Sequence, residues 1–174
     1  MRQLVLGGAR SGKSKLAEQL AEKTNLSLIY IATAQVGDDE MAERVKHHQA
    51  RRSDQWSLIE EPYKLGELIE QHNNADSCLL IDCLTLWLTN LLLREDESFF
   101  ADQKQQLLTQ LKTTQATVIL VSNEVGQGIV PLGELSRQFV DESGWLHQQV
   151  AAVCDRVIYT VAGLPMILKG TPLE

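Results

Sequence analysis

Gly7-Gly8-Ala9-Arg10-Ser11-Gly12-Lys13-Ser14 follows the pattern G-x-x-x-x-G-K-[ST] at every fixed position. Leu4-Val5-Leu6 before it reads as a short buried strand, and Lys15 to Glu22 after it has helical character, the setting in which this pattern cradles phosphate. Glycines at 7, 8 and 12 let successive N–H groups turn inward as a nest for phosphate oxygens. The following helix adds its positive N-terminal end. Lys13 is placed to reach the β- and γ-phosphates of a nucleoside triphosphate, and the Ser14 hydroxyl to ligate the magnesium ion that bridges them. The bland alternative, a glycine-rich turn that binds nothing, is disfavoured by the strand and helix on either side.

Working outward, short β-branched or leucine-rich runs alternate with longer helical patterns. Leu28–Ile31, Cys78–Ile81, Thr117–Val121 and Val157–Val161 follow the first strand in turn. Helices are predicted near 13–23, 39–52, 62–72, 84–94, 97–113 and 134–153. The alternation predicts an α/β fold of the P-loop NTPase kind, a mostly parallel sheet with helices on both faces. Leu164–Leu168 reads as a last edge strand, where Pro165 does least harm. The expectation is one domain over 1–170 and a tail over 171–174.

Sixteen basic against twenty-three acidic residues give a formal charge of −7 in 174 residues. Such an acidic chain is a poor candidate for phosphate-backbone binding, so a small molecule is expected rather than nucleic acid. Cys78, Cys83 and Cys154 lack C-x-x-C spacing and are odd in number, which fits buried free thiols in a reducing cytoplasm. Only three apolar residues precede Gly7, so no signal peptide is expected. The apolar stretch 78–93 is interrupted by Asp82 and Asn90 and is shorter than the roughly 20 residues of a membrane span.

Two further constellations carry chemistry. Leu79-Leu80-Ile81-Asp82 has the form of a buried strand ending in a carboxylate, suited to hold magnesium beside Ser14, or else to cap the helix that follows. From Asp38 to Arg52, acids in the first turn and bases in the last suit a helix macrodipole. Arg44, His47, His48 and Arg51 fall at i, i+3, i+4 and i+7. Adjacent histidines point about 100° apart, so His47 and His48 do not suit one metal ion. An unprotonated imidazole can instead attack phosphorus and carry the group as a phosphoramidate. From spacing alone, a solvated, salt-bridged helix face remains the simpler reading. Asn123 and Glu124 follow the strand Val118–Val121 and are expected at the carboxyl edge of the sheet as substrate-loop residues. Gly126 and Gly128 are expected to loosen the segment after them. His72 is expected in solvent, His147 packed on a helix, and the three tryptophans in core or subunit contacts.

With these residues in view, the chain resembles the bifunctional adenosylcobinamide kinase/adenosylcobinamide-phosphate guanylyltransferase family of cobalamin biosynthesis. The resemblance rests on Gly7 to Ser14, on Tyr30-Ile31-Ala32-Thr33-Ala34-Gln35, and on Asp38-Asp39-Glu40-Met41 leading to Arg44 and His47-His48. It continues through Thr89-Asn90 and Ser122-Asn123-Glu124-Val125-Gly126-Gln127-Gly128-Ile129-Val130-Pro131. The resemblance implies phosphorylation of the aminopropanol hydroxyl of adenosylcobinamide by ATP or GTP. It then implies transfer of GMP from GTP to that phosphate through a guanylyl group on His47. It implies nucleotide contacts at Gly7 to Ser14, Ala32, Thr33, Ala34, His48, Gln49, Ala50, Arg51, Glu60 and Asp82, and magnesium at Ser14 and Asp82. A homotrimer is also implied. Two other readings stay open here: a P-loop kinase of another small alcohol, and a nucleotide-dependent switch, though the N-K-x-D element of switch GTPases is lacking.

Overall fold

The computed structural model describes residues 1–34 and 56–173. Seven strands form one sheet: β1 (Arg2–Gly7), β2 (Ser27–Ala32), β3 (Trp56–Glu60), β4 (Ser77–Asp82), β5 (Thr117–Asn123), β6 (Arg156–Val161) and β7 (Leu164–Lys169). Their order across the sheet is β3-β2-β4-β5-β1-β6-β7. The first six run parallel, and β7 pairs antiparallel with β6 at the edge. Among the described residues the helices are α1 (Lys13–Glu22), α2 (Leu65–Gln71), α3 (Leu84–Leu93), α4 (Glu97–Thr113) and α5 (Glu134–Val153).

The apolar runs of β4 and β5 do not alternate because both faces of the sheet are covered. Ile59, Ile31, Ile81, Leu120, Leu4 and Val157 form one register row across six strands. This row packs beneath the buried residues of α2, α3, α4 and α5, with Trp87, Leu107 and Leu146 among them. Tyr30, Leu80, Ile119, Val5 and Ile158 point to the other face and pack with Ala17 and Ala21 of α1. Helices therefore cover both faces, as the alternation predicts.

Two details depart from the sequence expectations. β3 is an additional edge strand, and Trp56 at its start meets Tyr30 edge-on with centroids 6.3 Å apart. α2 begins at Leu65 rather than near 62, because the Glu61 carboxylate accepts from the N–H groups of Tyr63 and Lys64, both at 2.9 Å, and turns the chain first. Of the tryptophans, Trp87 is fully buried in the core and Trp145 is 55% exposed, which leaves the expectation of core or subunit contacts standing. The predicted helix over 39–52 lies outside the described residues. All three cysteines are buried free thiols, and burial pushes Cys78 and Cys83 to about 11 and Cys154 to about 12. Among the described residues, no helix is long and apolar enough to cross a membrane.

Candidate active site at the carboxyl edge of the sheet

β1 ends at Gly7, and the chain turns through residues 8–12 into α1. Gly7 is where close packing is tightest. A Cβ there would sit 2.4 Å from the Thr160 carbonyl oxygen and 2.7 Å from Ser11 Oγ. Gly12 precedes α1 with φ 96°, a left-handed conformation that favours glycine. A Cβ on Gly12 would meet Gly163 Cα at 3.2 Å, while the Gly163 N–H donates to the Ser11 carbonyl at 2.9 Å. The turn between β6 and β7 thus backs the loop. Gly8 has nothing within 4 Å of an added Cβ, so this part of the loop faces open space.

Lys13 is 7% exposed, and its ammonium donates to the Gly8 carbonyl at 2.6 Å, curling over the loop. Burial lowers its pKa, and the charge of Asp82 opposes that shift. Asp82 therefore stands within electrostatic reach of Lys13. It is the last residue of β4, and the N-cap of α3 is Cys83 without a side-chain cap bond, so Asp82 does not cap the helix.

Register explains why distant sequence positions converge. Ala32 pairs with Glu60 on one side and Asp82 on the other. Asp82 pairs with Val121, and Val121 with Val5. Two residues further along, Gly7 pairs with Asn123, and the Glu124 N–H donates to the Gly7 carbonyl at 3.0 Å. Gly7, Ala32, Glu60, Asp82, Asn123 and Glu124 thus share the carboxyl edge, where open parallel sheets collect ligands. Thr33 is different in kind. Its fully buried hydroxyl donates to the Cys83 carbonyl at 2.7 Å and accepts from the Cys83 N–H at 2.9 Å. Its side chain is spent on joining the β2 and β4 ends. Ala34 is half-buried just beyond, while Ala9 and Arg10 are exposed on the loop. His47, His48, Gln49, Ala50 and Arg51 lie outside the described residues.

Magnesium is tested by the chemistry of its donors. A serine hydroxyl at the start of α1 and a carboxylate at the end of β4 are hard oxygen ligands, and both residues are partly exposed. No group of three or more His, Cys, Asp or Glu forms a metal cluster among the described residues. That set suits an ion taking most of its remaining shell from phosphates and water.

Several side-chain contacts near the site escaped sequence reasoning. Asn90 donates from its amide to the Thr33 carbonyl at 2.8 Å and the Pro62 carbonyl at 3.1 Å, bridging the loops after β2 and β3. The Trp87 indole donates to the Tyr63 carbonyl at 2.6 Å. Ser122, Thr85 and His147 form a polar chain beneath Asn123, buried at Ser122 and His147 and partly so at Thr85. An asparagine interrupting the apolar run 84–93 was the signal for the first. The others carry no local signal.

Two solved structures share this architecture. The chain aligns with the RadB recombinase at TM-score 0.53 and 14% identity, covering 91% of this chain and 73% of that one. It aligns with the flagellar accessory protein FlaH of Methanocaldococcus jannaschii at TM-score 0.50 and 14% identity, over 98% and 78%. At that identity the likeness concerns the fold, a P-loop NTPase sheet. The family model for cobinamide kinase / cobinamide phosphate guanyltransferase matches residues 3–168. The chain belongs to that family. It is 57% identical to the bifunctional adenosylcobalamin biosynthesis protein CobP of Pseudomonas aeruginosa, over 99% of this chain and 100% of that protein. The bifunctional adenosylcobalamin biosynthesis protein CobU of Escherichia coli is 38% identical, over 95% and 98%. The family match spans all the described candidate residues, from the phosphate loop to Glu124.

Proposed function

We propose that this chain performs both family reactions at the carboxyl edge of its sheet. In the first, the aminopropanol hydroxyl of adenosylcobinamide attacks the γ-phosphorus of ATP or GTP. The bond to the β,γ-bridging oxygen breaks, and the hydroxyl proton passes to a base, for which Asp82 and Glu124 are the candidates. In the second, a ring nitrogen of His47 attacks the α-phosphorus of GTP and pyrophosphate leaves. The new phosphate of the corrinoid then displaces the histidine, giving adenosylcobinamide-GDP.

The observation that carries this reading is the family membership of a chain whose phosphate loop is complete. Phosphoryl transfer needs positioning and charge neutralisation more than covalent machinery. The loop N–H groups, Lys13 and Arg10 serve that need, and by this reading Arg51 and the nucleotide contacts of Ala32, Ala34, His48, Gln49, Ala50 and Glu60 complete it. Ser14 and Asp82 would hold magnesium, which when bound with the nucleotide supplies further positive charge at the phosphates. A phosphate monoester is a poor nucleophile toward an anionic triphosphate. Loading GMP on a neutral His47 first divides the displacement and lets pyrophosphate depart before the acceptor arrives.

The same reading extends to assembly. The exposed apolar side chains Ile129 (98% exposed), Leu132 (97%) and Trp145 support a homo-oligomer, a trimer by family resemblance. The test of function is incubation with magnesium, ATP or GTP and adenosylcobinamide, followed by mass analysis of the corrinoid. A phosphorylated product, then a GDP-linked product when GTP is present, is expected. Phosphorylation without any GDP-linked product would leave a kinase alone, and no modified corrinoid would overturn the reading.

A further inference from the structure

Beneath the substrate-loop residues lies a polar chain that the two reactions do not call upon. His147 of α5 is 8% exposed and Ser122 of β5 is 1% exposed. His147 Nε2 and Ser122 Oγ share a hydrogen bond of 2.8 Å. Ser122 Oγ lies 3.2 Å from Thr85 Oγ1 in the first turn of α3, and that hydroxyl accepts from the Asn123 N–H at 2.7 Å. Four polar groups on three elements are thus joined in sequence, the His147–Ser122 end buried and the Thr85–Asn123 end partly so. Burying such groups costs free energy unless each is paired, so a chain of this kind holds its members in one arrangement. An aliphatic residue at 147 would leave Ser122 short of a partner.

The chain ends where the site begins. Asn123 is the register partner of Gly7, and Glu124 follows it onto the Gly7 carbonyl. After Glu124 the segment 125–133 has no regular secondary structure and is mostly exposed. Its entry point is therefore set by the end of β5. Burial favours the uncharged imidazole, and the negative charge of Glu124 acts on it in the opposite sense.

We propose that His147 is a positioning residue for the acceptor side of the site, fixing through Ser122 and Thr85 the end of β5 and the first residues of the segment that follows. The acceptor part of this inference rests on the two-reaction reading; the ordering of the segment does not.

Amide hydrogen exchange of the intact chain tests the ordering in wild type, His147→Ala, His147→Gln and Ser122→Ala. Faster exchange is expected over 123–133 in His147→Ala and Ser122→Ala, with α1 unchanged. His147→Gln, whose amide can still meet Ser122, is expected to restore the wild-type rate. In turnover, His147→Ala is expected to raise the KM for the corrinoid about five-fold, the size of one lost hydrogen bond, and kcat much less. Identical exchange over 123–133 in all four proteins, or equal acceleration in every element, would overturn the inference. Absence of corrinoid turnover in the wild type would sink the two-reaction reading alone, and the exchange data would still decide the role of His147.

Discussion

Lys13 and His147 are two buried cationic-type side chains handled in opposite ways. Lys13 keeps a carboxylate, Asp82, within reach of its charge and a carbonyl oxygen at its ammonium, an arrangement ready to exchange that carbonyl for phosphate oxygens. His147 is given a hydroxyl partner, and burial lowers its pKa from the ordinary 6.5. The unfolded chain then binds a proton that the folded chain resists, so unfolding becomes easier as protons become available. Above about pH 6.5, where both states hold a neutral ring, this group contributes no pH dependence. As pH falls below that value, stability is expected to decline until the folded ring also titrates. Urea unfolding between pH 5 and 8 checks this, with His147→Gln as the comparison. A slope below pH 6.5 that is as steep in His147→Gln as in wild type would assign the loss to other groups. The two roles were not equally visible from sequence: Lys13 sits in a motif with fixed spacing, whereas the separation of 25 positions from Ser122 to His147 leaves no pattern to read.

At the scale of elements, the buried strands and the long helices were legible because period and length both spoke for them. α4 and α5 begin and end where the sequence places them. β3 was not legible. Its five residues Trp-Ser-Leu-Ile-Glu lie at a sheet edge with Ser57, Leu58 and Glu60 exposed, so they show neither a continuous apolar run nor a clean alternation. The α2–α4 contact was equally hidden. Gly66 lies in α2 with Gln106 so close that an added Cβ would fall 2.8 Å from its Cβ and 2.9 Å from its carbonyl carbon. Helix propensity alone would make Gly66→Ala stabilising by up to about 1 kcal/mol. Forcing a methyl group into packed backbone costs about 1–3 kcal/mol. The second term wins, so Gly66→Ala is expected to lower Tm by about 2–4 °C. A raised Tm would mean that α2 and α4 can separate at little cost.

For the whole molecule, the sequence reads as a list of strands in chain order, and the fold reorders them as β3-β2-β4-β5-β1-β6-β7. That reordering places β1 beside β5, and so brings Gly7 next to Asn123 and Glu124 although more than a hundred residues separate them. It also sets Ala32 between Glu60 and Asp82. The site is thus a consequence of parallel register: that Asp82, Asn123 and Glu124 lie at the carboxyl edge was readable from the strands they end, whereas the neighbours each meets there follow only from the strand order. Two chemistries at one edge fit this geometry, since the phosphate loop and the β5 segment meet there from adjacent strands.

In the proposed transfer, GMP passes through the chain itself. Incubation with magnesium and GTP labelled on the α-phosphate, then denaturation, tests it in wild type and His47→Ala. Label is expected that stays with the denatured wild-type chain, is lost in acid, survives base and is absent from His47→Ala. No retained label in a wild-type chain that demonstrably binds GTP, or equal label in His47→Ala, would contradict it.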